Sequence, residues 1–181
     1  FAATATRATD HDPQIARLLL GPGPTAFVLT NDSVEENLPA GTVVGSLKAY
    51  DPGDTLTYAL TDDAGGLFTI NAGTGEITTT ASLNFEALAS YSITGRVTDS
   101  AGRAVTSGFT ITVNNANDYP VAAADTGALN EDATSANLWS ALLGNDTDQD
   151  SGTTLSIQSV NTAGTLGSVV FDAATQTLQY V

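Results

Sequence analysis

Residues 90–99 read SYSITGRVTD, with Tyr91, Ile93 and Val97 alternating with Ser92, Thr94, Arg96 and Thr98. A period of two sends successive side chains to opposite faces of an extended chain. The stretch therefore predicts a strand with one buried and one solvated face. The next apolar run, FTITV at 109–113, repeats the pattern, with Phe109, Ile111 and Val113 separated by Thr110 and Thr112. Toward the N-terminus the same texture continues. Phe27-Val28-Leu29 is a short apolar run, and Val43, Leu47 and Ala49 share one parity. Leu56, Tyr58 and Leu60 share another, and Phe68 pairs with Ile70 before the turn Ala72-Gly73-Thr74-Gly75. Short alternating segments punctuated by Gly, Asp and Asn predict an all-β antiparallel sandwich. Leu83–Leu88 is the one segment between two strands that does not read as strand.

The strand ending at Val113 runs into TVNNANDYPV, residues 112–121. Pro120 fixes φ and removes a hydrogen-bond donor, so the chain leaves this joint stiffly. Asn117 and Asp118 put hard oxygen donors there. Beyond it the β texture returns more loosely, in Val121–Ala124, Leu155–Val160, Val169–Phe171 and Leu178–Val181. The expected organisation is an irregular segment 1–25, a β-sandwich over 26–118, and a second, incomplete sandwich over 119–181. The sole tryptophan, Trp139, is expected in a core beside Leu138 and Leu142, with a sugar-stacking platform as the lesser alternative. Gln14 to Leu20 admits a turn or two of helix.

Composition limits the function. Hydrophobic residues make up 41% of 181, enough for a core, and the net charge is −15. Residues 1–25 sum to zero, Arg7 and Arg17 against Asp10 and Asp12, so the excess lies entirely in the remainder. Such a surface repels nucleic acid and attracts cations. Cysteine is absent and His11 is the single histidine. A zinc site of His and Cys therefore cannot form, and a Ser-His-Asp triad has only one residue to draw on. Asp146-x-Asp148-x-Asp150 hints at an EF-hand loop, but Gly152 falls at position seven and Ile157 at position twelve. A functional EF-hand needs Gly at six and Glu at twelve.

Five motifs, in order, carry a family resemblance. Ser33-Val34-Glu35-Glu36-Asn37-Leu38-Pro39-Ala40-Gly41-Thr42 resembles the opening of a cadherin repeat. Phe68-Thr69-Ile70 with Thr74-Gly75-Glu76-Ile77 resembles that family's F-x-I…T-G-x-I, and Leu83-Asn84-Phe85-Glu86 its L-D-x-E. Val97-Thr98-Asp99-Ser100-Ala101-Gly102 resembles A-x-D-x-G, and Asn115–Pro120 a bacterial form of the linker. The segment after Pro120 carries Glu131-Asp132 and Leu142–Asp150 and resembles the cadherin-like repeats of large bacterial surface and RTX-type adhesins.

The resemblance implies a Greek-key, Ig-like sandwich without catalysis, at a cell surface or outside the cell. It implies Ca2+ held by Glu36, Glu86, Asn117, Asp118, Asp148 and Asp150, with the Ala116 carbonyl, and a joint stiffened by the ion. Other cadherin-like domains, including homophilic copies, or cell-surface ligands are the implied partners. Asn84 and Asn115 stand where the family usually has acids, which implies a weaker site. Asp51, Asp54 and Asp99 are expected to face a preceding joint, yet the segment before Pro24 lacks an acidic linker. Two rivals are a carbohydrate-binding accessory module for polysaccharide and a glycosidase using paired carboxylates such as Glu36 and Glu86. The first needs an exposed aromatic strip, but only 7% of residues are aromatic.

Overall fold

The computed structural model describes residues 23–130 and 132–181. His11, the segment 14–20 and Glu131 lie outside that range. The chain divides into two compact units, Phe1–Ala116 and Asn117–Val181.

The first unit is a sandwich of two four-stranded sheets. One has the order β1-β3-β6-β5, built from Val28–Leu29, Val43–Lys48, Glu76–Thr79 and Phe68–Ile70. The other has the order β2-β8-β7-β4, built from Ser33–Glu35, Ala104–Asn114, Ser90–Thr98 and Thr57–Asp62. The 90–99 and 109–113 stretches fall on β7 and β8, which pair antiparallel from Ser90↔Thr112 to Thr98↔Ala104. Their alternation is realised: Ile93, Val97, Ile111 and Val113 are buried, while Ser92, Arg96, Thr110 and Thr112 are exposed. Phe27, Leu47, Tyr58, Phe68, Ile77 and Leu83 complete the core between the sheets.

The N-terminal strand crosses from one sheet to the other. β1 pairs antiparallel with β3, and β2, four residues on, pairs in parallel with β8. Asn31 makes the crossing possible. Its Nδ2 donates to Ser33 O at 2.7 Å and to Val44 O at 2.6 Å, supplying main-chain acceptors at the gap in the ladder. Gly45 fits there because a Cβ would stand 2.4 Å from Asn31 O. The register shifts between Val43 and Gly45. That bulge corrects the expected parity of this strand. Val43 is exposed and Val44 is buried alongside Leu47, since an extra residue flips the faces upstream of it.

The second unit is sparser. Val169–Asp172 (β9) and Thr177–Tyr180 (β10) form a hairpin. A one-turn helix, Trp139–Leu142, sets the indole against Phe171 in a stacked arrangement, ring centres 6.0 Å apart. Trp139 is buried, as a core residue. Asn137 joins these parts: its Oδ1 accepts from Leu178 N at 2.9 Å and from Trp139 N at 3.1 Å. Two expected strands are corrected. Val121 forms a single bridge with Thr147, and 155–160 lies outside any strand. Leu155 and Ile157 keep their alternating exposure, but a strand also needs a neighbour to satisfy its main chain. No helix among the described residues is long and apolar enough to cross a membrane.

Gly75 shows how tightly the sandwich constrains its turns. It has φ +74°, and an added Cβ would lie 2.4 Å from Leu47 O. Gly75→Ala is expected to cost at least about 2 kcal/mol, from the left-handed backbone plus a main-chain clash. Leu47→Ala, in the centre of the core, is expected to cost about 2–5 kcal/mol. Urea unfolding followed by circular dichroism checks both, with Trp139 fluorescence tracking the second unit separately. Changes under 0.5 kcal/mol, on the order of an ordinary surface substitution, would contradict the packing described.

Candidate metal centre

The end of β2 builds the first group of predicted ligands. The β2–β8 ladder closes with Glu36 N donating to Asn114 O at 3.1 Å. Asn37 then adopts the left-handed conformation, φ 60°, which asparagine tolerates better than most residues, and gives its N–H to Leu83 O at 3.1 Å. Glu36 is left inside, 1% exposed. Its Oε2 accepts from Phe85 N at 2.7 Å and its Oε1 from Ala116 N at 2.8 Å. One carboxylate thus joins the end of β2, the turn through Phe85 and the segment leaving β8.

Glu86, which is exposed, stands beside it. Carboxylate oxygens of Glu36 and Glu86 lie within 4.8 Å of each other. Asn115 Nδ2 donates to Glu86 Oε1 at 3.0 Å. Burial pushes the Glu36 carboxyl up, but the Phe85 and Ala116 amides, with Glu86, outweigh it and hold the pKa below its ordinary value. Two carboxyls in contact need a proton between them or a cation. At 4.8 Å and an effective dielectric near 20 their repulsion when both are ionised is about 3 kcal/mol.

Asn117, Asp118, Asp148 and Asp150 belong to the second unit, and it brings them together. Asp118 is buried, and its N–H donates to Asp150 Oδ2 at 2.6 Å. Asp150 N donates to Asp148 Oδ1 at 2.9 Å, and Asn117 Nδ2 to Asp118 O at 2.5 Å. Asp146 instead accepts from Ala123 N at 2.8 Å, so the 146–150 acids cap main-chain N–H groups of two different segments. Every side chain named in either group offers oxygen and none offers sulfur or imidazole. That donor set fits a hard ion such as Ca2+.

The sequence singled out the acids but not their holders. The Phe85 and Ala116 amides carry no side-chain signal. Asn115, read only as a lost acid, is a donor that steadies Glu86, where an aspartate would repel it. A further group, Asp51, Asp54 and Asp99, lies in the first unit with carboxylate oxygens within 4.8 Å of one another.

Comparison with known proteins bears on both units. Residues 31–114 match the model of the cadherin domain, and residues 117–181 match that of a bacterial Ig domain. The second match stands where the sequence resemblance points to another cadherin-like repeat. Human Protocadherin-16 is 32% identical over 128 residues, 66% of this chain and 4% of that protein. Mouse Cadherin EGF LAG seven-pass G-type receptor 1 is 40% identical over 97 residues, 48% of this chain and 3% of that protein. The crystal structure of human Protocadherin-24 EC1-2 aligns at 30% identity and TM-score 0.49, covering 56% of this chain and 48% of that one. The chain therefore spans only a few per cent of the curated relatives it matches. Residues 31–114 of the first unit are thus similar to a cadherin domain, an all-β module of the adhesion type that is not an enzyme.

Glu36→Ala would strip an acceptor from two N–H groups at a buried position. The expected loss is about 2–5 kcal/mol in urea unfolding of the first unit. Since the folded pKa of Glu36 lies below the ordinary 4.5, its contribution is complete above about pH 4.5 and is lost as the pH falls through the lowered value. Unfolding midpoints of the wild type should decline over that window more steeply than those of Glu36→Gln. Parallel declines would mean that Glu36 is not held as an ion.

Proposed function

We propose that this chain is a calcium-binding adhesion or spacer module of a cell-surface or secreted protein, in which Ca2+ sets the stiffness of the segment leaving the cadherin domain. One observation carries the proposal: Glu36 is buried as a carboxylate with a second carboxyl, Glu86, against it. When both are ionised, the pair carries a repulsion that a divalent ion would remove.

Glu36 and Glu86 are the proposed ligands from the cadherin domain, and Asn117, Asp118, Asp148 and Asp150 those from the linker onward. Their grouping as ligands of the same ions rests on the order of the motifs in the sequence. Bound calcium would supply charge neutralisation, while the chain's own residues do the positioning. The Phe85 and Ala116 amides orient Glu36, Asn115 orients Glu86, and Asp148 orients Asp150. Neutral Asn84 and Asn115 in the acidic segments weaken the attraction for the ion. Affinity is therefore expected in the range of about 10⁻⁴–10⁻³ M, suited to extracellular calcium. The bacterial Ig match favours a bacterial surface protein. Other cadherin-like domains or surface ligands are the proposed partners.

Calorimetric titration with Ca2+, paired with thermal melts in calcium and in chelator, tests this. Saturable binding and a rise of roughly 5–10 °C in melting temperature are expected at calcium well above Kd. Glu86→Ala and Asp118→Ala should each weaken the binding at least about tenfold, a change of 1.4 kcal/mol. Identical melts with no heat of binding would leave the domain as a passive spacer and remove calcium from its mechanism.

A further inference from the structure

The second acidic group of the first unit, Asp51, Asp54 and Asp99, sits ahead of β4 and at the turn between β7 and β8. Asp99 closes β7 and is buried, at 5% exposure. The loop from Asp99 to Arg103 returns on itself, with Asp99 N donating to Arg103 O at 3.0 Å and Gly102 N to Asp99 O at 3.1 Å. Arg103 then reaches back over it. Its main-chain N–H donates to Asp99 Oδ1 at 2.8 Å and its Nε to Asp99 Oδ2 at 2.6 Å. A terminal nitrogen of the same guanidinium lies 3.9 Å from Asp54 Oδ2. Asp54 Oδ1 takes the Thr55 amide at 2.8 Å and both the amide and the hydroxyl of Ser100. Asp51 Oδ2 is buried without a hydrogen-bond partner. The cluster thus contains a cation already, fixed by three of its own main-chain and side-chain bonds.

We infer that Arg103 is a built-in counter-ion that stands in for a metal at this end of the sandwich, so that the Asp51–Asp54–Asp99 cluster is held together independently of divalent cations. Guanidinium is charged at every relevant pH, and its rigid planar fork presents donors toward both carboxylates with less ordering cost than a rotating ammonium group. A Ca2+ ion here would have to displace it. The displacement would break the Nε bond to Asp99 and leave a cation beside a cation. Removing Arg103 reverses the logic. Three carboxylates within 4.8 Å, one with an unsatisfied buried oxygen, then lose that counter-charge, and a divalent ion becomes the simplest remedy. This inference is independent of calcium binding by Glu36 and Glu86.

The test uses the full chain carrying Glu86→Ala and Asp118→Ala, to remove the calcium response proposed above, with and without Arg103→Gln. With Arg103 intact, melting should be the same in Ca2+ and in chelator. With Arg103→Gln, melting in chelator should fall, and Ca2+ should raise it by roughly 5–10 °C. The difference between the two chains reads this cluster alone, whether or not the other carboxylates bind calcium. No calcium response gained on Arg103→Gln would overturn the inference. Asp51→Asn in the otherwise unaltered chain gives a second reading if the glutamine variant does not fold. Unchanged calcium stoichiometry and affinity supports Arg103 as the resident cation, and a lost calcium ion overturns it.

Discussion

A single buried carboxylate governs the exit of the first unit. Removing an ion from water costs several kcal/mol even after relaxation, and hydrogen bonds to a charged group return about 1.5–3 kcal/mol each. Glu36 receives two from main-chain N–H groups, so its burial comes close to balance without a metal. The consequence is structural before it is functional. Phe85 and Ala116 are far apart in sequence and held by the same two oxygens. The turn after Leu83 and the start of the linker therefore cannot move separately without exposing that charge. Glu86 then disturbs the balance by adding a second negative group at the same place. Local main-chain donors position the pair, and the electrostatics leave room for a cation.

That arrangement depends on the N-terminal strand changing sheets. Were β1 to continue straight, Ser33–Glu35 would not reach β8, and Glu36 would not meet Ala116. The crossing requires an interruption that is satisfied internally, which Asn31 provides through both bonds of its amide nitrogen. It also requires the close approach that Gly45 permits. The bulge at Val43–Gly45 belongs to the same feature, since the partner strand must accommodate the chain as it leaves. The metal-friendly carboxylate and the unusual strand are thus one construction, with packing at one end and charge at the other.

Legibility in the sequence follows from this physics. Period-two stretches such as 90–99 and 109–113 predict their strands and buried faces correctly, because both lie in long, regularly paired strands. Val43 misleads, because alternation records a face only while the register is unbroken. Residues 155–160 mislead for a different reason: one segment can display alternation, but pairing needs two. The one-turn helix at Trp139 is too short for any helical period to appear. At the site, the acids are visible as residue types, whereas the Phe85 and Ala116 amides are invisible in principle, since every non-proline residue has one. Asn115 and Arg103 are visible as residue types, but their bonds to Glu86 and Asp99 depend on the folded main chain.

The two acidic groups of the first unit therefore meet one electrostatic problem in different ways. At Asp51, Asp54 and Asp99 the chain supplies its own cation, on the loop that the acids flank, and the bond from Arg103 to Asp99 spans only four residues. A short-range solution of this kind forms with the hairpin itself and asks nothing of the surroundings. At Glu36 and Glu86 the chain supplies neutral donors from distant segments. Main-chain dipoles can orient carboxylates but cannot cancel their mutual repulsion, because each N–H contributes only a partial charge. That repulsion is what a dissolved cation would relieve. With 20 acidic residues against 5 basic ones, the chain has few such internal cations to distribute, and Arg103 is one of them.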